Sequence, residues 1–245
     1  MQHIFLVCMK NKLLAPIFFL SITASFFMSC KDDKVLILGP EITSNFYPLD
    51  SGYWIEYQVD SIVHLNIDDQ YLVDTSIESY HFFIREEVDS SFIDGEGKQV
   101  WAISRYKRNS DSLPWEFTSL WTAKLSFSSL ERVEDNLRFI RMVFPLKDNR
   151  KWNGNAYNTM EEEDYTYSNL FLPKTYSSLY YDSTVVVNQN DFISNINRII
   201  KNEVYGNHVG LLYKQIDSVG TANTVNGVII LNGLEYTQTI TDYKH

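Results

Sequence analysis

The sequence predicts a mainly β protein, built as an antiparallel sheet or an open or half β-barrel of about ten strands, with at most one or two short helices. Two observations predict this class. Apolar and polar residues alternate with a period of two in several segments, and Asn-Gly and Asp-Gly pairs typical of hairpin turns recur between them. The 245 residues, 44% hydrophobic and 21% charged, are sufficient for a packed core.

The first 29 residues differ from the rest and are predicted to be a secretory signal peptide. Lys10 and Lys12 precede an apolar segment over 13–28. A positive segment followed by an apolar one and a small residue is typical of such signals. The apolar segment has 16 residues, fewer than the roughly 20 that span a bilayer as a helix. Met1 and Met9 remain alternative starts.

The signal ends in a sequence that resembles a bacterial lipobox. Ser29 is the small residue before Cys30, and Phe27 stands where the pattern usually has an aliphatic residue. The resemblance implies that Cys30 becomes the first mature residue and carries a thioether-linked diacylglycerol, with acyl chains such as palmitate. An ordinary secreted protein that is cut elsewhere and an uncleaved anchor are the alternatives.

The residues after Cys30 resemble the surface-export signal of Bacteroidetes-type lipoproteins, which is a Lys followed by two acidic residues. Here that signal would be Lys31, Asp32 and Asp33; the alternative is a plain polar tether. We therefore expect a lipid-anchored protein of the outer membrane, exposed at the cell surface. The predicted divisions are a signal peptide at 1–29, the lipidated Cys and tether at 30–45, and one β-rich domain at 46–245.

Charge and cysteine content limit the partners. Cys8 leaves with the signal and Cys30 is lipidated, so the exported domain has no disulfide. Lys10 and Lys12 also leave, so 19 basic and 31 acidic residues remain, a charge of −12. This balance argues against nucleic acid and against attraction to anionic lipid. Membrane attachment is therefore expected through the acyl chains on Cys30.

Strand-like segments follow one another along the domain. Alternation is clearest over 53–60 and 234–241, and shorter runs rich in β-formers lie at 137–144, 184–187 and 211–216. The hairpin signals are Asp94-Gly95, Asn153-Gly154, Asn226-Gly227 and Asn232-Gly233. Leu120–Val133 is the best candidate for a helix, whereas Asp191–Asn202 is interpreted as strand because its apolar residues alternate.

One sequence pattern occurs twice. Tyr47-Pro48-Leu49 is followed by a polar turn and Trp54, and Phe144-Pro145-Leu146 by a polar turn and Trp152. Two readings are open: a duplicated half-domain, with each Trp plugging one end of a barrel, or a coincidence of common strand-turn-strand chemistry.

Three stretches carry a family resemblance. They are Phe46–Tyr57, Trp152–Asn155 and Glu203–Lys214, the last reading Glu-Val-Tyr…Val-Gly-Leu-Leu-Tyr-Lys. Together they resemble an uncharacterised family of Bacteroidetes lipoproteins. The last stretch is also similar to strand pairs in the half-barrel fold of periplasmic lipoprotein carriers. These resemblances imply a location and a shape, and they supply no catalytic residues.

The sequence shows no catalytic, metal or cofactor motif. It lacks the Gly-x-Ser-x-Gly elbow, and its histidines have no metal-ligand spacing. The acidic run Glu161–Asp164 suits Ca²⁺ by ligand type but is more simply a charged loop. We expect no enzyme, no cofactor and no metal.

Aromatic residues are the unusual feature, because 31 remain in the 216 mature residues once five Phe leave with the signal. Trp101, Tyr106, Trp115 and Trp121 are the candidate ligand-binding residues, as a sugar platform or the wall of a lipid cavity. The alternative is that they build a core without disulfides. The favoured function is a non-enzymatic domain that binds an apolar or glycan ligand or a protein partner. An accessory subunit of an envelope complex is the second hypothesis, a hydrolase is the third, and the oligomeric state is left open.

Overall fold

The computed structural model describes residues 45–65 and 76–244, which form one antiparallel sheet. Its twelve strands are β1 Trp54–Leu65, β2 Ser76–Ile93, β3 Gln99–Arg108, β4 Glu116–Leu125, β5 Ser129–Glu134, β6 Leu137–Val143, β7 Lys151–Asn153, β8 Asp164–Tyr176, β9 Leu179–Ile193, β10 Asn197–Gly206, β11 Gly210–Thr224 and β12 Gly227–Tyr243. Among the described residues there is no helix, and so none long and apolar enough to cross a membrane. The predicted fold class is confirmed, with twelve strands rather than about ten.

The sheet curls into a nearly closed barrel. Strands adjacent in the chain pair with each other except at β6 and β7, and β1 pairs with β12. The two sheet edges, β6 and β7, meet through backbone: the Ile140 amide donates to the Gly154 carbonyl at 2.9 Å. The Trp152 indole donates to the Ile140 carbonyl, also at 2.9 Å. These bonds engage some of the edge groups that would otherwise be open to pairing with another chain.

The core fills the interior of the barrel, as the period of two predicts. On β1, Tyr57 and Val59 are fully buried, whereas Glu56 before them and Asp60 after them point outward. The same alternation buries Ile240 on β12, opposite Tyr57. Residues on one face of every strand therefore share the interior, which we call the lumen.

The helix predicted at Leu120–Val133 is wrong. The segment contains the end of β4, a turn at 126–128 and most of β5. The Ser126 hydroxyl accepts hydrogen bonds from the amides of Ser128 and Ser129 and so closes the turn. Local serine–backbone bonding of this type competes with helix formation. The strand interpretation of 191–202 is correct in type, although a turn at 194–196 divides the segment between β9 and β10.

One of the hairpin signals lies inside a strand. Asp94-Gly95 and Asn226-Gly227 do connect neighbouring strands, but Asn232-Gly233 lies within β12. Gly233 pairs with Val219 beside the register shift at Gly220/Thr221, and its φ is +118°. A Cβ atom there would overlap the carbonyl oxygen of Ser218. This Asn-Gly pair therefore forms no turn. Its glycine instead permits a bend in β12 and a close approach of two strands.

The repeated aromatic-Pro-Leu pattern coincides with the halves of the barrel. Each copy precedes the first strand of a six-stranded half, β1–β6 or β7–β12. The two Trp residues, however, are not equivalent. Trp152 packs on the buried Tyr167, with ring centroids 4.6 Å apart. Trp54 lies on the outer face, with the Arg85 guanidinium 4.5 Å from its ring, so the reading in which each Trp plugs one barrel end does not hold for Trp54.

The residues before β1 close one end of the barrel. Phe46 and Tyr47 are buried, and the Tyr47 ring lies 6.3 Å from that of Tyr205 on β10. The Asn45 carbonyl accepts from the His208 amide at 2.7 Å, which fixes this segment to the β10–β11 turn. We call residues 46–49 the plug segment. The opposite end of the barrel is the one at which the β11–β12 hairpin lies.

Candidate functional site

A chain of ion pairs crosses the lumen. Seven charged side chains alternate in sign, each bound to the next, and we call them the lumenal ion-pair chain. The nitrogen–oxygen distances run Arg105–Glu86 3.1 Å, Glu86–Arg132 3.1 Å, Arg132–Glu134 3.3 Å, Glu134–Arg141 2.7 Å, Arg141–Glu203 3.5 Å and Glu203–Lys214 3.2 Å. Six strands thus contribute to one connected network.

Strand register brings the members of the chain together. Glu86 on β2 is the cross-strand partner of Arg105 on β3, and Glu203 on β10 is that of Lys214 on β11. Lys214 in turn lies opposite Gln238 on β12. Directly opposed residues of an antiparallel pair have neighbouring side chains, so these pairs follow from the register alone.

Burial and opposite charge act against each other at the centre of the chain. For Glu134, burial favours the protonated form, but Arg141 and Arg132 outweigh it and hold the pKa of the Glu134 carboxyl well below its ordinary value of 4.5. For Arg141, burial lowers the pKa, but Glu134 and Glu203 outweigh this and raise it above its usual range. Both side chains are therefore held in their charged forms.

Glu203 is also held ionised. Burial raises its pKa, yet Arg141 and Lys214 lower the pKa of the Glu203 carboxyl overall. The Tyr205 hydroxyl donates to Glu203 Oε2 at 2.6 Å, and the pKa of Tyr205 is raised by burial and then by that carboxylate. A buried carboxylate with two cationic partners and a hydroxyl donor has its charge well compensated.

The chain begins and ends with a cation. Each of its three carboxylates is shared between two cations, whereas Arg105 and Lys214 each make one ion pair within the described residues. Four cations against three carboxylates leave one positive charge. This excess favours a bound anion over a bound cation.

Arg105 and Lys214 line the same cavity of about 260 Å³. Arg132 and the three carboxylates of the ion-pair chain, Glu86, Glu134 and Glu203, also line it. Apolar side chains form much of the rest of the wall. They are Trp121, Leu211, Ile216, Leu234 and the ring of Tyr236. Gln238 completes the polar side; it is 3% exposed and accepts a hydrogen bond from the Tyr236 hydroxyl at 2.8 Å. We call this space the lumenal cavity.

Trp121 supports the cationic side of the lumenal cavity. The Arg105 guanidinium lies 3.7 Å from the centre of the Trp121 ring, and that of Arg132 lies 5.0 Å away. The indole nitrogen donates to Asp135 at 3.1 Å, which fixes the ring. Stacking on an aromatic face holds Arg105 in place while leaving other guanidinium N–H groups available.

The four aromatic candidates do not share one surface. Trp121 lines the lumenal cavity, and Trp101 packs against the buried core beside Ala123. Tyr106 pairs edge-on with Phe117 at 5.9 Å, and Trp115 lies under the Arg108 guanidinium at 4.3 Å. Arg108 binds Glu56 on the outer face, so Tyr106 and Trp115 belong to that face. The ligand-binding role of all four stays a prediction.

A larger depression of about 580 Å³ lies at the plugged end of the barrel, beside the plug segment. Its wall includes Asp50, His208 and Lys244, and the Lys244 ammonium already donates to the Gly52 carbonyl at 2.8 Å. It is broad and shallow, and no connected network of buried charges lines it. The lumenal cavity is therefore the better candidate site, despite its smaller volume.

Other predicted positions lie elsewhere. Cys30, Lys31, Asp32 and Asp33 lie outside the described residues. In the acidic run at 161–164, Glu163 pairs with Lys201 at 2.8 Å. Within residues 45–65 and 76–244, no group of three His, Cys, Asp or Glu side chains is arranged to hold a metal ion.

Comparisons with known proteins place the chain in no family. No protein-family model and no curated protein matches it. Two solved structures are similar at low identity. One is a candidate lipoprotein from Parabacteroides distasonis (10% identity, TM-score 0.42, 81% of this chain and 98% of that one). The other is a candidate exported protein with a YmcC-like fold from Bacteroides fragilis (8%, TM-score 0.40, 82% and 99%). At these TM-scores the likeness supports no argument about function.

Proposed function

We propose that the protein is a lipid-anchored lipoprotein of the outer membrane, facing the cell surface, whose barrel binds a small ligand in its lumen without converting it. The observation that carries the binding role is the lumenal cavity. Its wall combines five apolar or aromatic side chains with Gln238 and six charged side chains held in ion pairs. Small-molecule sites in proteins join apolar wall area to polar groups that fix the ligand, and the mouths of β-barrels are a common place for them.

The fold supplies a rigid frame for such a site. The inward groups stand on strands whose backbone is paired on both sides, and the plug segment closes one barrel end. Ion pairs then fix the rotamers of the charged side chains. Binding groups held in place before the ligand arrives reduce the entropy lost on association.

Thermal melting of the purified protein against panels of lipids and glycans tests the binding role. A ligand at one hundred times its dissociation constant stabilises the folded state by about 2.7 kcal/mol. For a domain of this size that raises Tm by about 5–10 °C. Ile216→Phe fills the lumenal cavity and should abolish the shift, whereas Val228→Phe on an exposed hairpin should preserve it. A panel without any shift, or an unchanged shift in Ile216→Phe, contradicts the proposal.

The anchor is tested in native cells with a clickable palmitate analogue. Wild-type protein should be labelled and should fractionate with the outer membrane, because Cys30 is the proposed acylation site. Cys30→Ala should lose the label and leave the membrane fraction, since stable anchoring needs two or more acyl chains. Cys8→Ala is the matched control and should keep the label. Labelling of Cys30→Ala would refute the anchor.

A further inference from the structure

We propose that the ligand of the lumenal cavity is a small organic anion with an apolar body, and that Arg105 and Lys214 bind its charged group. This rests on the proposed function and specifies its ligand. The inference joins three features of one cavity: two cations with a single carboxylate partner each, free hydrogen-bond donors and an apolar wall.

The charge comes from the order of the lumenal ion-pair chain. Every carboxylate in it lies between two cations, so none has a strong need for a further positive partner. The two terminal cations, Arg105 and Lys214, each have only one carboxylate partner within the described residues. Both terminal cations line the lumenal cavity, together with Arg132 and the three carboxylates. Arg141, which does not line it, binds two of those carboxylates, so their charge is compensated from outside the wall as well. A cationic ligand would add repulsion at both ends.

Donors complement this charge. An ammonium has three N–H groups, and within the described residues Lys214 uses one contact, to Glu203. Arg105 donates through Nε to Glu86 at 3.1 Å, which leaves its terminal nitrogens free of described partners. The Gln238 carboxamide has its oxygen engaged by Tyr236, which directs its N–H₂ group to other acceptors. A carboxylate, with two acceptor oxygens, suits such a donor set.

The apolar wall defines the other half of the ligand. Ile216 and Leu234 lie beyond Lys214 and Gln238 in the direction of the β11–β12 hairpin, away from the plug segment. A chain attached to the bound carboxylate would lie against these side chains. The volume of about 260 Å³ is just below the roughly 300–1,000 Å³ typical of sites for drug-sized ligands. A short acyl or aryl carboxylate therefore fits better than a long lipid.

Octanoate and 1-octanol test the inference, because they share a chain and differ in charge at neutral pH. Calorimetric titration of the wild-type protein should give a dissociation constant at least tenfold lower for octanoate. Lys214→Met should weaken octanoate binding at least tenfold and leave octanol binding within twofold. Lys147→Met removes an exposed lysine on the β6–β7 loop and should change neither.

The outcomes separate this inference from the proposed function. Octanol binding as tightly as octanoate, or no octanoate binding at all, overturns the anion inference. Lumenal binding in general would still stand if other ligands in the panels shift Tm. If Lys214→Met does not fold, the comparison of the two ligands on wild-type protein still decides, and Gln238→Leu replaces it as the variant that should weaken octanoate selectively.

Discussion

Replacing Glu134 with Gln should lower the free energy of unfolding by about 3–5 kcal/mol, the range for breaking a buried ion pair at one partner. Glu134 accepts from Nε and Nη2 of Arg141 at 3.0 and 2.7 Å, and Arg132 Nε lies 3.3 Å away. Gln preserves the shape and removes the charge, so two buried guanidinium groups lose their main partner. Urea denaturation followed by Trp fluorescence measures the change.

The control for this variant is Glu116→Gln, at an exposed position at the start of β4. It should change stability by less than about 0.5 kcal/mol, as is usual for surface substitutions. A loss below about 1 kcal/mol in Glu134→Gln would show that Glu134 is not the centre of a buried ion-pair network.

Lowering the pH should destabilise the protein through the buried carboxylates of the lumenal ion-pair chain. The pKa values of Glu134 and Glu203 are lowered in the folded protein relative to 4.5. Their contribution to stability is therefore fully present above about pH 4.5, and it is lost as the pH falls through their lower folded values. Wild-type protein should lose stability below pH 4.5, and Glu134→Gln should lose less over the same range. If the free energy of unfolding fell equally with pH in the two proteins, Glu134 would not be a source of the acid sensitivity.

Gly233→Ala should destabilise the protein by about 2–6 kcal/mol, because overpacking and backbone strain each cost about 1–3 kcal/mol. The φ of +118° is unfavourable for any residue with a side chain. A Cβ atom would also meet the Ser218 oxygen and lie 2.7 Å from the Val219 Cα, both of them backbone atoms that cannot rotate away.

Gly95→Ala is the matched control, since a Cβ atom there has no neighbour within 4 Å and the φ of Gly95 is not positive. Its melting temperature should stay within about a degree of wild type. A similarly small change in Gly233→Ala would show that β11 and β12 are farther apart at this point than described.

The sequence predicts the sheet better than its turns, for a physical reason. The period of two reports which face of a strand is buried, and it holds over β1 and β12. Asn232-Gly233 has the composition of a hairpin turn, but a bulge and a turn both need a residue with positive φ. Composition cannot separate them, because the difference depends on the partner strand.

The lumenal ion-pair chain could be predicted only in part. Glu203 and Lys214 lie at the two ends of the stretch that carries the family resemblance, and that resemblance implies no role for either. The signal was positional: Glu86 occupies the inward position between Ile84 and Val88, which are both buried. The clustering of aromatic residues in the sequence indicates Trp121, which lines the lumenal cavity, but also Trp115, which lies on the outer face. The number of aromatic residues in a segment does not show which face of the sheet each of them occupies.

A crystal structure of the protein with octanoate tests the central claim, that the lumen is the binding site. We expect the carboxylate within hydrogen-bond distance of the Lys214 ammonium, and the chain against Ile216 and Leu234. Octanoate confined to the depression beside the plug segment, with the lumenal cavity filled by water alone, would contradict the account.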